Sequence, residues 1–321
     1  MTVYDFLWER RKELFKGEDL LYHYTSLETF EKFLEDDGDF YCTNALMLND
    51  DSELISGLDI IQKHLKEKFG WSEERMQWFA VGYRKLIAEG AIVLPWIMSF
   101  TRAKDCLTHW GMYTDRRQGG VSIGLSRDSL WDAIDRLPGG YSKAAIDAEG
   151  KKALEPAFIL RLLPCLYAES DQELINELFE FRGAQCHDAF QRIGKALHSE
   201  DIDPRDFQMA LLTIMEVSVL VKHEAFRNEQ EERLVLLPKT HLLQDCKILC
   251  GKPRWQTYIA ETRKEGEGKA SLKFLRGMFQ EVMISPHGDR QSLWLTTRFL
   301  LEKYGMNFCE LKCSELPYNG R

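Results

Sequence analysis

A short apolar strand that ends on a histidine and runs directly into a helix constrains this chain more than any other feature. The stretch Leu21–Ser26 reads Leu-Tyr-His-Tyr-Thr-Ser. Ser26 is a good N-cap for a helix over 27–34, where apolar residues recur at helical spacing. His23 and Thr25 therefore stand at a junction of two elements, where ligands are commonly bound. The alternative for His23 is a core histidine whose ring nitrogen is satisfied by a backbone carbonyl.

The remaining periodicities predict an α+β fold. Strands are predicted at 21–26, 40–43, 91–101, 119–125, 159–167, 231–237, 282–285 and 308–313. Helices are predicted at 3–16, 27–34, 53–65, 72–89, 104–113, 126–155, 171–200, 205–225 and 289–304. We expect an N-terminal helix within 1–19 and a single domain over 20–321, with a helical insertion at about 141–230.

Charge and hydropathy exclude several classes of protein. The net charge of −9 argues against a general nucleic-acid coat, although a local basic patch could hold one strand. The longest apolar run, 91–98, contains a proline and is far shorter than the ~18 residues that a membrane span needs. The first residues do not resemble a signal peptide. We therefore expect a cytoplasmic protein with no membrane partner.

Two cysteine pairs raise the question of a metal site. Cys246/Cys250 and Cys309/Cys313 share a C-x-x-x-C spacing, which could supply four zinc ligands if the fold brought the pairs together. The stretch around Cys309 alternates like a strand, so buried core cysteines explain the pattern more simply. We expect reduced thiols and no metal.

Three acidic residues stand at the start of the strand predicted over 231–237. They are Glu229, Glu231 and Glu232, and Arg233 follows them directly. Such a cluster would be costly to bury without a function, because burial disfavours the charged form of each carboxylate. The alternative is a strand end exposed to solvent.

Several short motifs occur in an order that resembles a known family. They are His23-Tyr-Thr-Ser, Asn49-Asp50 with Glu53, Ser99-Phe-Thr with Asp105, Trp110-x-x-Tyr113, Glu229-x-Glu231-x-Arg233 and Ser314-Glu-Leu-Pro317-Tyr. Together they resemble the bacterial family named domain of unknown function 2971, from about residue 20 to the C-terminus. The resemblance implies an architecture more than a chemistry.

The first strand and helix are also similar to the beginning of the ADP-ribosyltransferase fold, which includes poly(ADP-ribose) polymerases and bacterial DNA-modifying toxins. The similarity lies in a strand-ending histidine, a hydroxyl residue two positions later, a helix and the turn at 37–39. It implies a mixed or antiparallel β core and NAD as substrate. Cleavage of the nicotinamide glycosidic bond develops an oxocarbenium ion, which a nearby carboxylate stabilises.

The transferase resemblance assigns a role to each motif residue. His23 would bind the adenosine ribose, Glu231 would be the catalytic glutamate, and Tyr113 or Trp110 would stack on nicotinamide. The other expected NAD contacts are Tyr24, Thr25, Asn49, Ser99, Glu229 and Arg233, the last of these at the pyrophosphate. Tyr113 departs from the polymerase pattern, because it follows a helix rather than lying in a G-x-Y strand. Core packing of Trp110 and Tyr113 and a helix-capping role for Asn49 are the alternatives.

Two hypotheses about function result. The first is an NAD-dependent ADP-ribosyltransferase, acting on a protein or nucleic acid as a toxin or phage-defence effector, with an antitoxin or regulatory protein as a further partner. The second is a non-catalytic nucleotide-sensing or protein-interaction module of a bacterial defence system. The first requires Glu231 to lie close to His23 on one side of the core, and it expects Glu231→Gln to leave folding intact.

Overall fold

The computed structural model describes residues 2–14, 20–35, 41–45, 53–88, 95–136, 145–146, 152–153, 158–181, 183–238, 246–249, 254–258 and 277–317. The strands are β1 (Leu20–Ser26), β2 (Tyr41–Asn44), β3 (Trp96–Thr101), β4 (Gly120–Ser126), β5 (Ala145–Ile146), β6 (Lys152–Ala153), β7 (Phe158–Pro164), β8 (Leu166–Tyr167), β9 (Val221–Lys222), β10 (Glu231–Pro238), β11 (Cys246–Leu249), β12 (Arg254–Tyr258), β13 (Phe279–Ile284) and β14 (Glu310–Cys313).

Helices cover both faces of the sheet. They are α1 (Val3–Glu9), α2 (Arg11–Leu14), α3 (Leu27–Leu34), α4 (Glu53–Phe69), α5 (Glu73–Ala88), α6 (Leu107–Tyr113), α7 (Arg127–Arg136), α8 (Gln172–Phe181), α9 (Gly183–Lys195), α10 (Pro204–Ser218) and α11 (Arg290–Lys303). The 3-10 segment Ser199–Asp201 connects α9 to α10, and the 3-10 segment Glu224–Glu229 connects β9 to β10.

A mixed sheet of ten strands forms the centre of the fold. Eight of the strands follow the order β11-β12-β2-β3-β1-β4-β13-β14. Strand β10 pairs with β3 along one of its edges and with β7 along the other. Strand β10 runs along one edge of β3, whereas β2 and β1 share the opposite edge. The pairs in this sheet are antiparallel except for β13 with β14. The α+β prediction is confirmed.

The sheet separates two hydrophobic cores. Because side chains alternate along a strand, β3 sends Met98 and Phe100 into one core and Ile97 into the other. The first core, called here the α3 face, lies under α3, α7 and α11. The second, called the α10 face, contains α1, α4, α5 and α8 to α10.

One glycine allows a close approach of two helices in the second core. A Cβ on Gly57 would lie 2.6 Å from the backbone oxygen of Ser218, so only glycine lets α4 approach the end of α10 this closely. Strand β9, which contains Lys222, begins three residues after Ser218.

Two predicted helices are wrong in part. The helix predicted over 126–155 ends at Arg136, and strands β5 and β6 lie further on at 145–146 and 152–153. The helix predicted over 205–225 ends at Ser218 and is followed by β9, since pairing with β8 overrides local propensity there. The stretch 141–230, expected as a helical insertion, carries α8 to α10 and also β7, which pairs with β10 in the main sheet and corresponds to the strand predicted at 159–167.

Two further predictions concern the N-terminal helix and the absence of a membrane-spanning helix. The N-terminal helix within 1–19 is present as two short helices, α1 and α2, and α1 buries Val3, Tyr4 and Leu7. Within the part of the chain that the structure describes, no helix combines the length and the apolar character needed to cross a bilayer.

Candidate functional site

The sheet places His23 and Glu231 on opposite faces. Thr101 of β3 lies opposite Tyr22 of β1 on one side and opposite Glu231 of β10 on the other. Residues paired in this way point to the same face, so Glu231 shares the α10 face with Tyr22. His23, one position along β1, points to the α3 face. The structure therefore does not form the shared His23–Glu231 site that the sequence predicts.

His23 is held by the core. Its Nδ1 lies 3.0 Å from the backbone oxygen of Ser99, and its ring lies beside the rings of Phe33 and Phe100, with centroids 6.0 and 5.8 Å away. Burial lowers the pKa of His23, although the bond to Ser99 opposes the shift. Thr25 is buried on the same face. The structure thus agrees with the alternative stated for His23, a core histidine whose ring nitrogen bonds a backbone carbonyl.

The acidic residue that shares the face of His23 is Glu232. It is fully buried, and Arg127 Nη2 donates to its Oε1 over 2.6 Å, with Arg102 Nε 3.7 Å from the same oxygen. Burial raises the pKa of Glu232 to about 7, because the two guanidinium groups only partly offset the desolvation of the carboxylate.

Glu231 is bound on both carboxylate oxygens. Arg233 Nε donates to Oε1 over 2.8 Å, and Lys222 Nζ donates to Oε2 over 2.7 Å. The backbone N–H of Glu231 donates to the hydroxyl of Tyr167 over 3.0 Å. Burial raises the pKa of Glu231, but Arg233 and Lys222 outweigh that effect and hold the pKa far below its usual range. Glu231 is thus an ionised partner in a buried ion pair.

Glu229 completes what we call the ionic cluster, which consists of Lys222, Glu229, Glu231 and Arg233. Lys222 Nζ donates to Glu229 Oε2 over 2.5 Å, so two carboxylates share one ammonium group. Gln230, between the two acids, has a left-handed backbone with φ of 45°. We infer that this turn brings both carboxylates close to Lys222. Beside the cluster, the ring of Phe226 lies 5.2 Å from Lys222 Nζ.

Three aromatic rings stack beside the ionic cluster and form what we call the ring column. The rings of Tyr24 and His109 lie 5.2 Å apart with an interplanar angle of 23°, and those of His109 and Tyr113 lie 5.8 Å apart at 18°. The Tyr24 hydroxyl is fixed by the loop before α6, because its one hydrogen is shared between the backbone oxygens of Ala103 and Lys104, each 2.8 Å away, and it accepts from the backbone N–H of Cys106 over 3.1 Å. Tyr113, the third ring of the column, is 38 % exposed.

His109 links the ring column to the ionic cluster. Burial lowers the pKa of His109, while Glu231 raises it and Lys222 lowers it, so the imidazole lies within electrostatic reach of both. Its Nδ1 is buried and has no hydrogen-bond partner among the residues that the structure describes. Sequence reasoning missed His109, although its position four residues before Tyr113 places both on one helical face.

Trp110 is packed rather than presented to a ligand. It is fully buried, its ring meets Tyr24 edge-on with centroids 4.6 Å apart, and its Nε1 donates to Asp105 over 2.7 Å. Of the predicted site residues, the structure brings Tyr24, Trp110, Tyr113, Glu229, Glu231 and Arg233 to the α10 face. His23 and Thr25 lie on the α3 face instead, and the part of Ser99 that contacts His23 is its backbone oxygen. Asn49 lies outside the described residues.

Two other patterns carry no site. Residues 120–124 spell G-x-S-x-G, but they lie within β4 with Ser122 fully buried, whereas a nucleophile elbow stands on a strand-to-helix turn. Across the described residues, no group of three or more His, Cys, Asp or Glu side chains is arranged to hold a metal ion. Cys309 is buried and Cys313 is exposed, both as free thiols.

Comparison with family models, with curated proteins and with solved structures found no match to this chain. The resemblances to the domain of unknown function 2971 and to the ADP-ribosyltransferases therefore stay predictions from the motifs. Inferences about function depend on the geometry of the ring column and the ionic cluster.

Proposed function

We propose that the protein is a nucleotide-sensing module that binds the base of its ligand on the ring column. The observation that carries the proposal is a stack of three rings, one of which, Tyr113, is 38 % exposed to solvent. A nucleobase or nicotinamide is planar and extends such a stack favourably, since every base has a π-face.

The buried polar groups beside the column support the same proposal. An unpartnered buried nitrogen such as Nδ1 of His109 is uncommon in a folded protein, because it loses its hydrogen bonds to water without replacement. A polar group of the ligand that reaches the side of the column, rather than the stacked base itself, can satisfy such a nitrogen. Glu229, at the edge of the cluster with its side chain 14 % exposed, supplies an anion for a further polar contact.

ADP-ribosyl transfer from NAD to a protein or nucleic acid is the second candidate. It is supported by the six motif residues that lie on one face, including Tyr113 and Glu231. A transferase that uses Glu231 must first free its carboxylate from Lys222 and Arg233, and it must act without His23. These two requirements are why we favour ligand sensing, for which a place in a bacterial defence system stays a prediction. The proposed toxin role and antitoxin partner depend on this second candidate.

Calorimetric titration with NAD, AMP and adenosine tests the proposal, with Tyr113→Ala as the variant. Base stacking on one aromatic side chain contributes about 1–3 kcal/mol, so the variant should bind at least ~5-fold more weakly. Met112→Ala is the matched control, because Met112 is its exposed neighbour on α6 and lies outside the stack. Equal affinity of Tyr113→Ala and wild type, or no binding by wild type, would refute the proposal.

Turnover of NAD separates the two candidates. The protein would be incubated with NAD labelled in the adenylate part, alone and with cell lysate or RNA, and nicotinamide release and label transfer would be followed. Binding without either product supports the sensing module. Release or transfer that persists in His23→Ala but is lost in a folded Glu231→Gln variant would instead establish a transferase that works from the α10 face.

A further inference from the structure

The carboxylate of Asp105 joins two segments that are far apart in the chain. It accepts a hydrogen bond from Trp110 Nε1 over 2.7 Å, which ties it to α6. It also accepts from Ser314 Oγ over 2.8 Å at Oδ1 and 3.0 Å at Oδ2, and from the backbone N–H of Glu315 over 2.9 Å. Bonds to an ionised carboxylate are among the stronger ones in proteins.

The residues after β14 form what we call the C-terminal strap, Ser314–Pro317. Its first residue is anchored by its backbone, because Ser314 N–H donates to the oxygen of Ile284 over 3.0 Å and Arg290 binds the Ser314 carbonyl. Leu316 packs against the small apolar cluster that contains Tyr24 and Trp110. The strap therefore packs against the apolar cluster beside the ring column, and it binds Asp105, whose carboxylate also binds Trp110 of α6.

Helix α6 depends on such contacts for its position. It has only seven residues, and Cys106 at its N-cap makes no side-chain capping bond. Isolated helices of this length are unstable in water, so tertiary packing must hold them. Trp110 is the fully buried residue of α6, and its indole N–H is the group that Asp105 binds.

We infer that docking of the C-terminal strap on Asp105 holds α6 in place, and so keeps His109 and Tyr113 stacked to receive the ligand. The inference rests on the proposed function for its consequence in binding, but the hold on α6 is a property of the protein without ligand. Asp105 and Ser314 are positioning residues, because they act on the ring column through Trp110 and Leu316.

Amide hydrogen exchange of the free, full-length protein tests the hold on α6. Ser314→Ala removes the hydroxyl that binds both Asp105 oxygens, and we expect exchange in 107–113 to accelerate by about tenfold or more, the equivalent of one hydrogen bond to a charged group. Ser314→Thr keeps the hydroxyl and should restore slow exchange. The matched control is Ser292→Ala, which removes a serine bond of 2.6 Å to Asp289 at the start of α11.

AMP titration of the same variants tests the consequence for the ligand. We expect Ser314→Ala to weaken AMP binding by a factor similar to the change in α6 exchange, and Ser292→Ala to leave it unchanged. Unchanged exchange in 107–113, or acceleration spread equally through β4 and β10, would overturn the inference. A loosened α6 with undiminished AMP affinity would overturn it as well. If wild type binds no nucleotide, the proposed function fails, and the exchange data still decide whether the strap holds α6.

Discussion

Replacement of Glu231 by glutamine should destabilise the protein rather than leave its folding intact. The side chains of Glu231, Arg233 and Lys222 are 9 %, 2 % and 6 % exposed, so water screens their interactions very little. Removing one partner of a buried ion pair costs about 3–5 kcal/mol, because the remaining charge stays buried without its counter-ion. Lys222 keeps Glu229, so we expect a loss near ~3 kcal/mol, at the lower end of that range.

Urea unfolding followed by far-UV circular dichroism at pH 7 measures this loss. Glu229→Gln is the matched control, since it removes a carboxylate from the same ammonium group but leaves Glu231 bound to Lys222 and Arg233. We expect that control to cost less than Glu231→Gln, because both cations keep a carboxylate partner. A Glu231→Gln variant that unfolds within about 0.5 kcal/mol of wild type would refute the ion-pair account and would make Glu231 available as a catalytic group.

The loss of stability in Glu231→Gln should depend on pH. The pKa of Glu231 lies far below its ordinary value of 4.5 in the folded state, so the carboxylate stabilises the fold above pH 4.5. That stabilisation is lost as the pH falls through the folded-state pKa. The difference between wild type and Glu231→Gln should therefore be largest near neutral pH and shrink below about pH 4.5. A difference that stays constant from pH 7 to the acid limit would contradict this assignment.

Two further predictions concern β10 and the turn before it. Glu232 has a folded-state pKa of about 7 against an ordinary 4.5, so its favourable contribution is present below 4.5 and is lost as the pH rises to 7. Thermal unfolding should show wild type losing stability over that range by an amount on the order of 3 kcal/mol, and Glu232→Gln should lack this loss. Gln230→Gly should stabilise the protein by up to ~1 kcal/mol, because φ of 45° strains a residue with a Cβ, and Gln230→Val should destabilise it in the same urea assay.

Periodicity predicted many of the helices and strands, but not how the strands pair. The patterns at 21–26 and 231–237 predict β1 and the body of β10, and both are present. Whether His23 and Glu231 face one another depends on the register of β3 between them, and a shift of one residue would reverse the answer. Local sequence does not determine that register, because Thr101 pairs with residues far away in the chain.

The sequence indicated only part of the ionic cluster. Glu229, Glu231 and Arg233 stand together in the chain, whereas their shared cation, Lys222, lay within a predicted helix. Its true position in β9 results from pairing with β8, a contact between residues 166–167 and 221–222. Without Lys222 the three acids looked like free carboxylates, and the catalytic role of Glu231 that the transferase resemblance implies was therefore not weighed against a buried ion pair.

The position of β10 beside β3 bears on how the chain is synthesised. One edge of β3 can pair with β2 and β1 early, but its other edge has no partner until residues 231–236 have left the ribosome. During that interval the apolar stretch 96–101 presents unpaired backbone donors and acceptors, which is the kind of edge that recruits other chains. We expect slow translation between β3 and β10 to increase aggregation of the nascent protein, and a chaperone that shields β3 to prevent it.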